Sequence, residues 1–140
     1  MCSGVEVNDR IITFGESAPA LPVLLRSGEV LWLRWGERHG IDSPWVAGPC
    51  ARLDSIRGGK WDRFRPVPVK LPVQRYMERN ASNKPYWAKL QPGEYVQGLV
   101  ATIGEEQRVY VVTDETPPAY RHVSDRWPRI IRDDATENSD

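Results

Sequence analysis

The segment Val67-Pro68-Val69-Lys70-Leu71-Pro72-Val73 constrains the chain most. Its apolar residues recur at every second position, the period of a strand with one buried face. Pro68 and Pro72 cannot donate a ladder hydrogen bond, which predicts an edge strand or a bulge. Further strands are predicted over residues 11–14, 21–25, 30–35, 86–90, 95–102 and 107–113, with a last short one at 129–131. Arg26-Ser27-Gly28-Glu29 and Ile103-Gly104-Glu105-Glu106 read as hairpin turns. Helix is scarce. Residues 51–64 have room for one or two turns, interrupted by Gly58-Gly59 at roughly 1 kcal/mol per glycine. Residues 114–120 read as a turn around Pro117-Pro118. The expectation is an α+β domain, mainly antiparallel β, with a few short helices.

A chain of 140 residues with 40% hydrophobic content and six tryptophans has the material for one core. One domain is expected over 1–132, with Trp32, Trp35, Trp45 and Trp87 assigned to the core. Residues 133–140, acidic and poor in apolar groups, are expected to form a disordered tail. The first residues lack the basic start and apolar run of a secretory signal. No apolar run approaches the ~20 residues that span a bilayer. A cytoplasmic, reduced protein without membrane contact is expected. The two cysteines and two histidines are not read as a metal centre, and no cofactor is expected.

Formal net charge is zero, but it is unevenly spread. Residues 51–90 carry 10 basic and 3 acidic groups, whereas residues 91–140 carry 5 and 10. The basic stretch is either the footprint of a phosphate-binding surface or an uneven scatter over solvated faces. Within it, Arg57, Lys60, Trp61, Arg63, Phe64 and Arg65 interleave cations with aromatics, a combination that grips a backbone and stacks bases. The cations are assigned to nucleic acid. Trp61 and Phe64, three apart on a short helix, are assigned to the core.

Cys2 follows the initiator methionine, and removal of Met1 would leave an amine and a thiol on adjacent carbons. The amine, with an ordinary pKa of about 8, adds to an aldehyde and loses water to give an imine. The thiol, with an ordinary pKa of about 8.5, then closes a five-membered thiazolidine. The closure is intramolecular, so it traps an otherwise reversible imine. Position alone does not distinguish this from a cysteine at residue 2 by chance.

The order of motifs resembles the SRAP (SOS response-associated peptidase) family. Met1-Cys2 looks like the family's start, and Ser17-Ala18-Pro19 followed by Pro22-Val23-Leu24-Leu25 resembles its Asn-x-Ala-Pro segment and next strand. Trp35-Gly36 looks like its Trp-Gly turn, and Ala51-Arg52-Leu53-Asp54 is similar to its Asn-Ala-Arg-x-Glu motif. Residues 71–78, Leu-Pro-Val-Gln-Arg-Tyr-Met-Glu, resemble Val-Pro-Ala-Asp-Gly-Phe-Tyr-Glu. Lys84-Pro85-Tyr86 and Asp125-Arg126-Trp127-Pro128 are similar to the Lys-x-Pro-Tyr/Phe and His-Asp-Arg-Met-Pro motifs.

The resemblance implies a barrel-like single domain that crosslinks to abasic sites in single-stranded DNA through the amino-terminal cysteine. It implies a DNA-damage role, with the peptidase label referring to self-removal of Met1. Cys2 is then the nucleophile and Glu78 the general acid/base, a role that needs a carboxyl near Cys2 with its pKa pushed up. Arg52 and Arg126 are phosphate ligands or partners of Asp54 and Asp125. Three positions depart from the family pattern: Cys50 stands for asparagine, Ser124 for histidine, and Glu16 for the asparagine of Asn-x-Ala-Pro. If residues 122–124 form a strand, His122 shares a face with Ser124 and can assist in its place. Cys50 admits a disulfide or resolving role, or a plain buried one. The chain is expected to act as a monomer. Two alternatives stand beside this one: a DNA-binding module without crosslinking chemistry, and a thiol or redox protein using Cys2 and Cys50.

Overall fold

The computed structural model describes residues 2–133; Met1 and residues 134–140, hence most of the expected acidic tail, lie outside the described residues. Among the described residues, twelve strands, one short α-helix and two single 3₁₀ turns follow one another. β1 (Cys2–Val7), β2 (Arg10–Thr13), β7 (Arg75–Arg79) and β8 (Pro85–Lys89) make an antiparallel sheet in the order β2-β1-β7-β8. The second sheet contains β3 (Ala20–Leu24), β4 (Val30–Trp35), β6 (Val67–Leu71), β9 (Glu94–Ile103) and β10 (Glu106–Glu115). These five close on themselves in the order β10-β4-β3-β6-β9, because β9 also pairs with β10. The product is a small barrel, consistent with the expected mainly antiparallel α+β domain. β5 (Cys50–Arg52), β11 (Arg126–Pro128) and β12 (Ile130–Arg132) attach to its flanks. β10 pairs in parallel with both β4 and β5.

The two-residue period explains where the core sits. On β10, Val109 and Val111 face the cluster between the two sheets, with Cys2, Val5, Leu21, Trp35, Leu71 and Tyr76. Tyr110 and Val112 face the opposite way, onto Trp61, Phe64, Leu53 and Trp45. β10 is therefore buried on both faces and reads as a continuous apolar run. α1 (Leu53–Arg57) and the 3₁₀ turn Asp62–Phe64 are held by the second cluster. Trp61 and Phe64 are core residues, as the sequence suggested.

One expectation is corrected. Trp32 is exposed, along with Val30 and Leu31. Among the described residues β4 pairs with β10 only at Arg34 and Trp35, so its first half has a neighbour on one side alone. Trp87 is half-buried under the Arg75 guanidinium, 4.8 Å above its ring. β6 is not the edge strand or bulge that its prolines suggested, for it lies between β3 and β9 in the barrel. Its prolines are tolerated because it meets β3 at the single pair Leu24–Lys70, and Pro72 falls just beyond its end.

Candidate active site

Local backbone geometry decides which residue faces Glu78. From Gly4 to Glu6, β1 pairs with β7 in a regular register, Gly4 with Met77 and Val5 with Tyr76. Continued unbroken, that register would set Ser3 against Glu78. A bulge between Cys2 and Gly4 instead sets Cys2 against Glu78. Bulges re-aim side chains in this way. Gly4 suits the turn of the ladder here, since a Cβ on it would lie 2.9 Å from the Met77 Cε. Cys2 and Glu78 are both 0% exposed.

Cys50 arrives from a different part of the chain. β5 runs parallel to the middle of β10, with Cys50 opposite Val111. Its Sγ lies 3.7 Å from the Cys2 carbonyl oxygen, while the Cys2 Sγ lies 3.7 Å from the Gly4 carbonyl oxygen. Both thiols are reduced. Residues 2, 50 and 78 are thus gathered at the seam between the two sheets. Tyr76, two positions before Glu78 and so on the same face of β7, accepts a hydrogen bond from Trp127 Nε1 at 2.7 Å. Tyr76 was not singled out from the sequence, although strand alternation from Glu78 pointed to it.

Burial governs the electrostatics. It pushes the Cys2 thiol well above its ordinary pKa, and the neighbouring Cys50 and Glu78 push the same way. Burial and then Glu78 raise Cys50 to about 12, against the amino-terminal charge and Arg126, which lower it. Burial also raises Glu78, opposed by the amino-terminal charge. A carboxyl and two thiols, each with its charged form disfavoured by burial, thus stand together at this seam.

The remaining residues singled out from the sequence fall into two groups. Arg126 lies at the site's edge: it donates to the Thr113 carbonyl at 2.9 Å and approaches Asp54 at 3.8 Å. Arg52 is exposed and makes a two-pronged contact with Asp54 at 3.1 and 3.0 Å, which holds the Asp54 carboxyl down at about 2. Arg57, Lys60, Arg63 and Arg65 are all exposed on the segment that starts at Cys50 and runs through α1. Arg63 lies 4.6 Å over the Phe64 ring, and Arg65 donates to the Gly104 carbonyl at 3.1 Å. Ser124 is half-buried and its Oγ accepts the Arg126 backbone N–H at 3.4 Å. Residues 121–123 form a turn and not a strand, so the two-residue alternation does not carry His122 to the place of Ser124. His122 is exposed. Glu16 caps the turn after β2, accepting the Thr13 N–H at 2.9 Å.

Among the described residues, no group of three or more His, Cys, Asp or Glu side chains is arranged to hold a metal ion. No helix there is long and apolar enough to cross a membrane. No family model matches the chain, and no curated protein is similar to it at a significant level.

Proposed function

We propose that the chain captures aldehydes, abasic sites in single-stranded DNA above all, as a thiazolidine at Cys2 once Met1 is gone. One observation carries the reading: the bulge in β1 sets Cys2, and not Ser3, opposite a buried glutamate whose carboxyl is raised by that burial. The Cys2 amine attacks the open-chain sugar aldehyde. Glu78 hands a proton to the departing hydroxyl as water leaves. The thiol then adds to the imine carbon, and its proton passes to the amine nitrogen, directly or through Glu78. A carboxyl poised above its ordinary range suits a proton carrier near neutral pH. With the aldehyde seated, the apolar surroundings of Cys2 limit water, which slows hydrolysis of the imine before the ring forms. The step that frees the amine also removes a residue bonded directly to Cys2. The SRAP resemblance of the motifs supports the same assignment, and the exposed cations Arg57, Lys60, Arg63 and Arg65 begin seven residues after Cys50.

Purified protein incubated with abasic single-stranded DNA forms an adduct that survives denaturing electrophoresis. Cys2→Ala abolishes it. Glu78→Gln slows its formation by about 10²-fold or more, the scale of a lost general acid/base. An undiminished adduct in Cys2→Ala sinks the mechanism, as does an active protein whose intact mass still includes Met1.

The complete burial of Cys2 and Glu78 favours a second reading, a DNA-binding module in which the pocket no longer opens. That reading gives salt-sensitive binding through the exposed cations and no covalent product under any condition.

A further inference from the structure

Aldehyde capture at Cys2 leaves the second thiol without a task. Cys50 sits against Cys2 although 48 residues separate them, its sulfur 3.7 Å from the Cys2 carbonyl oxygen. The two residues belong to different sheets. Cys2 opens β1 in the four-stranded sheet, whereas Cys50 opens β5 on the barrel strand β10. They also differ in access, for Cys2 is fully buried and Cys50 is half-buried. These are the only two cysteines of the chain. Each is the other's nearest available sulfur partner, and no other thiol of the molecule competes for an oxidant or for a bond.

We propose that Cys2 and Cys50 are a redox site, joined by an intramolecular disulfide on oxidation, and that this bond is the off state of the aldehyde trap. With hydrogen peroxide as oxidant, the more accessible Cys50 reacts first, through the small thiolate fraction that its raised pKa leaves at neutral pH, so the step quickens as pH rises. Its sulfur displaces hydroxide from the peroxide and becomes a sulfenic acid. The Cys2 sulfur then attacks the Cys50 sulfur and the sulfenic oxygen leaves as water. In sum, two thiols and one peroxide give one disulfide and two waters. Oxidised glutathione reaches the same product by two exchange steps, releasing two molecules of glutathione.

The consequence for the site follows from which atom is consumed. The disulfide takes the sulfur and leaves the amine. An amine without its thiol still forms an imine with an aldehyde, but has no ring to close. The oxidised protein therefore binds aldehydes reversibly, and the adduct persists only if hydride reduces it. The gating part of the proposal rests on the aldehyde-trapping reading; the disulfide does not, since it needs neither Met1 removal nor DNA.

The test has two arms on the full-length protein, oxidised under native conditions. In the first, protein treated with peroxide or oxidised glutathione and then freed of oxidant is unfolded in urea with iodoacetamide present, which exposes any unlinked thiol to the reagent, and weighed. The expected result is a mass lower by two hydrogens, both sulfurs protected, and one linked peptide pair carrying Cys2 and Cys50, all reversed by dithiothreitol. In Cys50→Ser the linked pair is absent, and Cys2 is recovered alkylated or as a higher oxide. Independent alkylation of both sulfurs after oxidation, or separate glutathione or sulfinic adducts on each, overturns the proposal. In the second arm, reduced and oxidised protein are offered abasic single-stranded DNA with and without cyanoborohydride, a hydride source that reduces imines and spares disulfides. Reduced protein gives the stable adduct without the hydride, and oxidised protein gives one only with it. An equal hydride-independent yield from a verified disulfide form overturns the gating. A verified disulfide with no adduct from the reduced form defeats the trapping reading, and the gating with it, while the redox site stands.

Discussion

At the residue scale, two buried glutamates respond to burial in opposite ways. Glu37 is desolvated, but the Ser43 hydroxyl, the Arg38 backbone N–H and Arg108 outweigh that, so its pKa is lowered. Arg108 reaches Glu37 at 3.1 Å and also donates to the Gly36 carbonyl at 3.0 Å. Glu78 is raised. A lowered carboxyl contributes stability above the ordinary glutamate value of 4.5, and that contribution is lost as pH falls through its folded value. A raised one contributes most below 4.5, and its contribution is lost as pH rises toward its folded value, because the unfolded chain ionises first. Glu78→Gln is thus expected to raise the urea midpoint at pH 7 and to match the parent well below pH 4.5, where Glu78 carries its proton in the folded and the unfolded chain alike. An equal offset at both pH values would contradict the assignment. Arg108→Ala strands Glu37 and is expected to cost about 3–5 kcal/mol, whereas replacing both members with apolar residues costs less than that single change. Urea unfolding of the two singles and the double measures the difference.

At the scale of elements, the strands that were legible in the sequence are those whose side chains alternate or run apolar. β6 declares itself by alternation, with its register fixed by β9, whereas β9 is buried on both faces over 96–101 and reads as an apolar run. β1, β5 and β11 gave no such signal. β5 and β11 have three residues each, too few for a period. β1 alternates only from Val5 onward, since the bulge breaks the pattern where Cys2 enters it. The Trp35-Gly36 turn was legible, and the structure shows why glycine is required. Gly36 has φ +56°, and a Cβ there would stand 2.2 Å from the Gly48 carbonyl oxygen. Gly36→Ala is expected to lower stability by more than about 2 kcal/mol, combining left-handed strain with overpacking; a thermal melt within a degree of the parent would refute this. Gly98→Ala meets the fully buried Leu71 side chain at 2.9–3.1 Å and is expected to cost about 1–3 kcal/mol.

At the scale of the whole molecule, the candidate site was legible in its members and not in its closure. Cys2 and Glu78 were named from chemistry and motif order, and the sheets bring them together with Cys50. The full burial of Cys2 and Glu78, with Cys50 half-buried beside them, is a property of two sheets packing, which no single segment encodes. The charge asymmetry was legible in the same partial way. Five of the middle segment's cations are exposed from Arg52 to Arg65, yet Arg52 is engaged by Asp54. Replacing Arg57 and Lys60 together by Glu is expected to weaken single-stranded DNA binding. The slope of log affinity against log salt should fall by roughly 0.7 for each phosphate that is no longer neutralised, read by fluorescence anisotropy across a sodium chloride series. A slope unchanged by the double reversal, or no binding by the parent, would count against the proposed nucleic-acid surface on this segment.

The bulge at the head of β1 acts as a ruler. Between the regular ladder at Gly4 and the carboxyl on β7 there are two residues where an unbroken strand would use one. The measure is taken backwards from Gly4, so it does not depend on what precedes the cysteine. A residue left on the nitrogen of Cys2 therefore leaves this register unchanged but puts an amide where the proposed trapping needs an amine. Under that proposal the start of the chain in a preparation decides whether it can react.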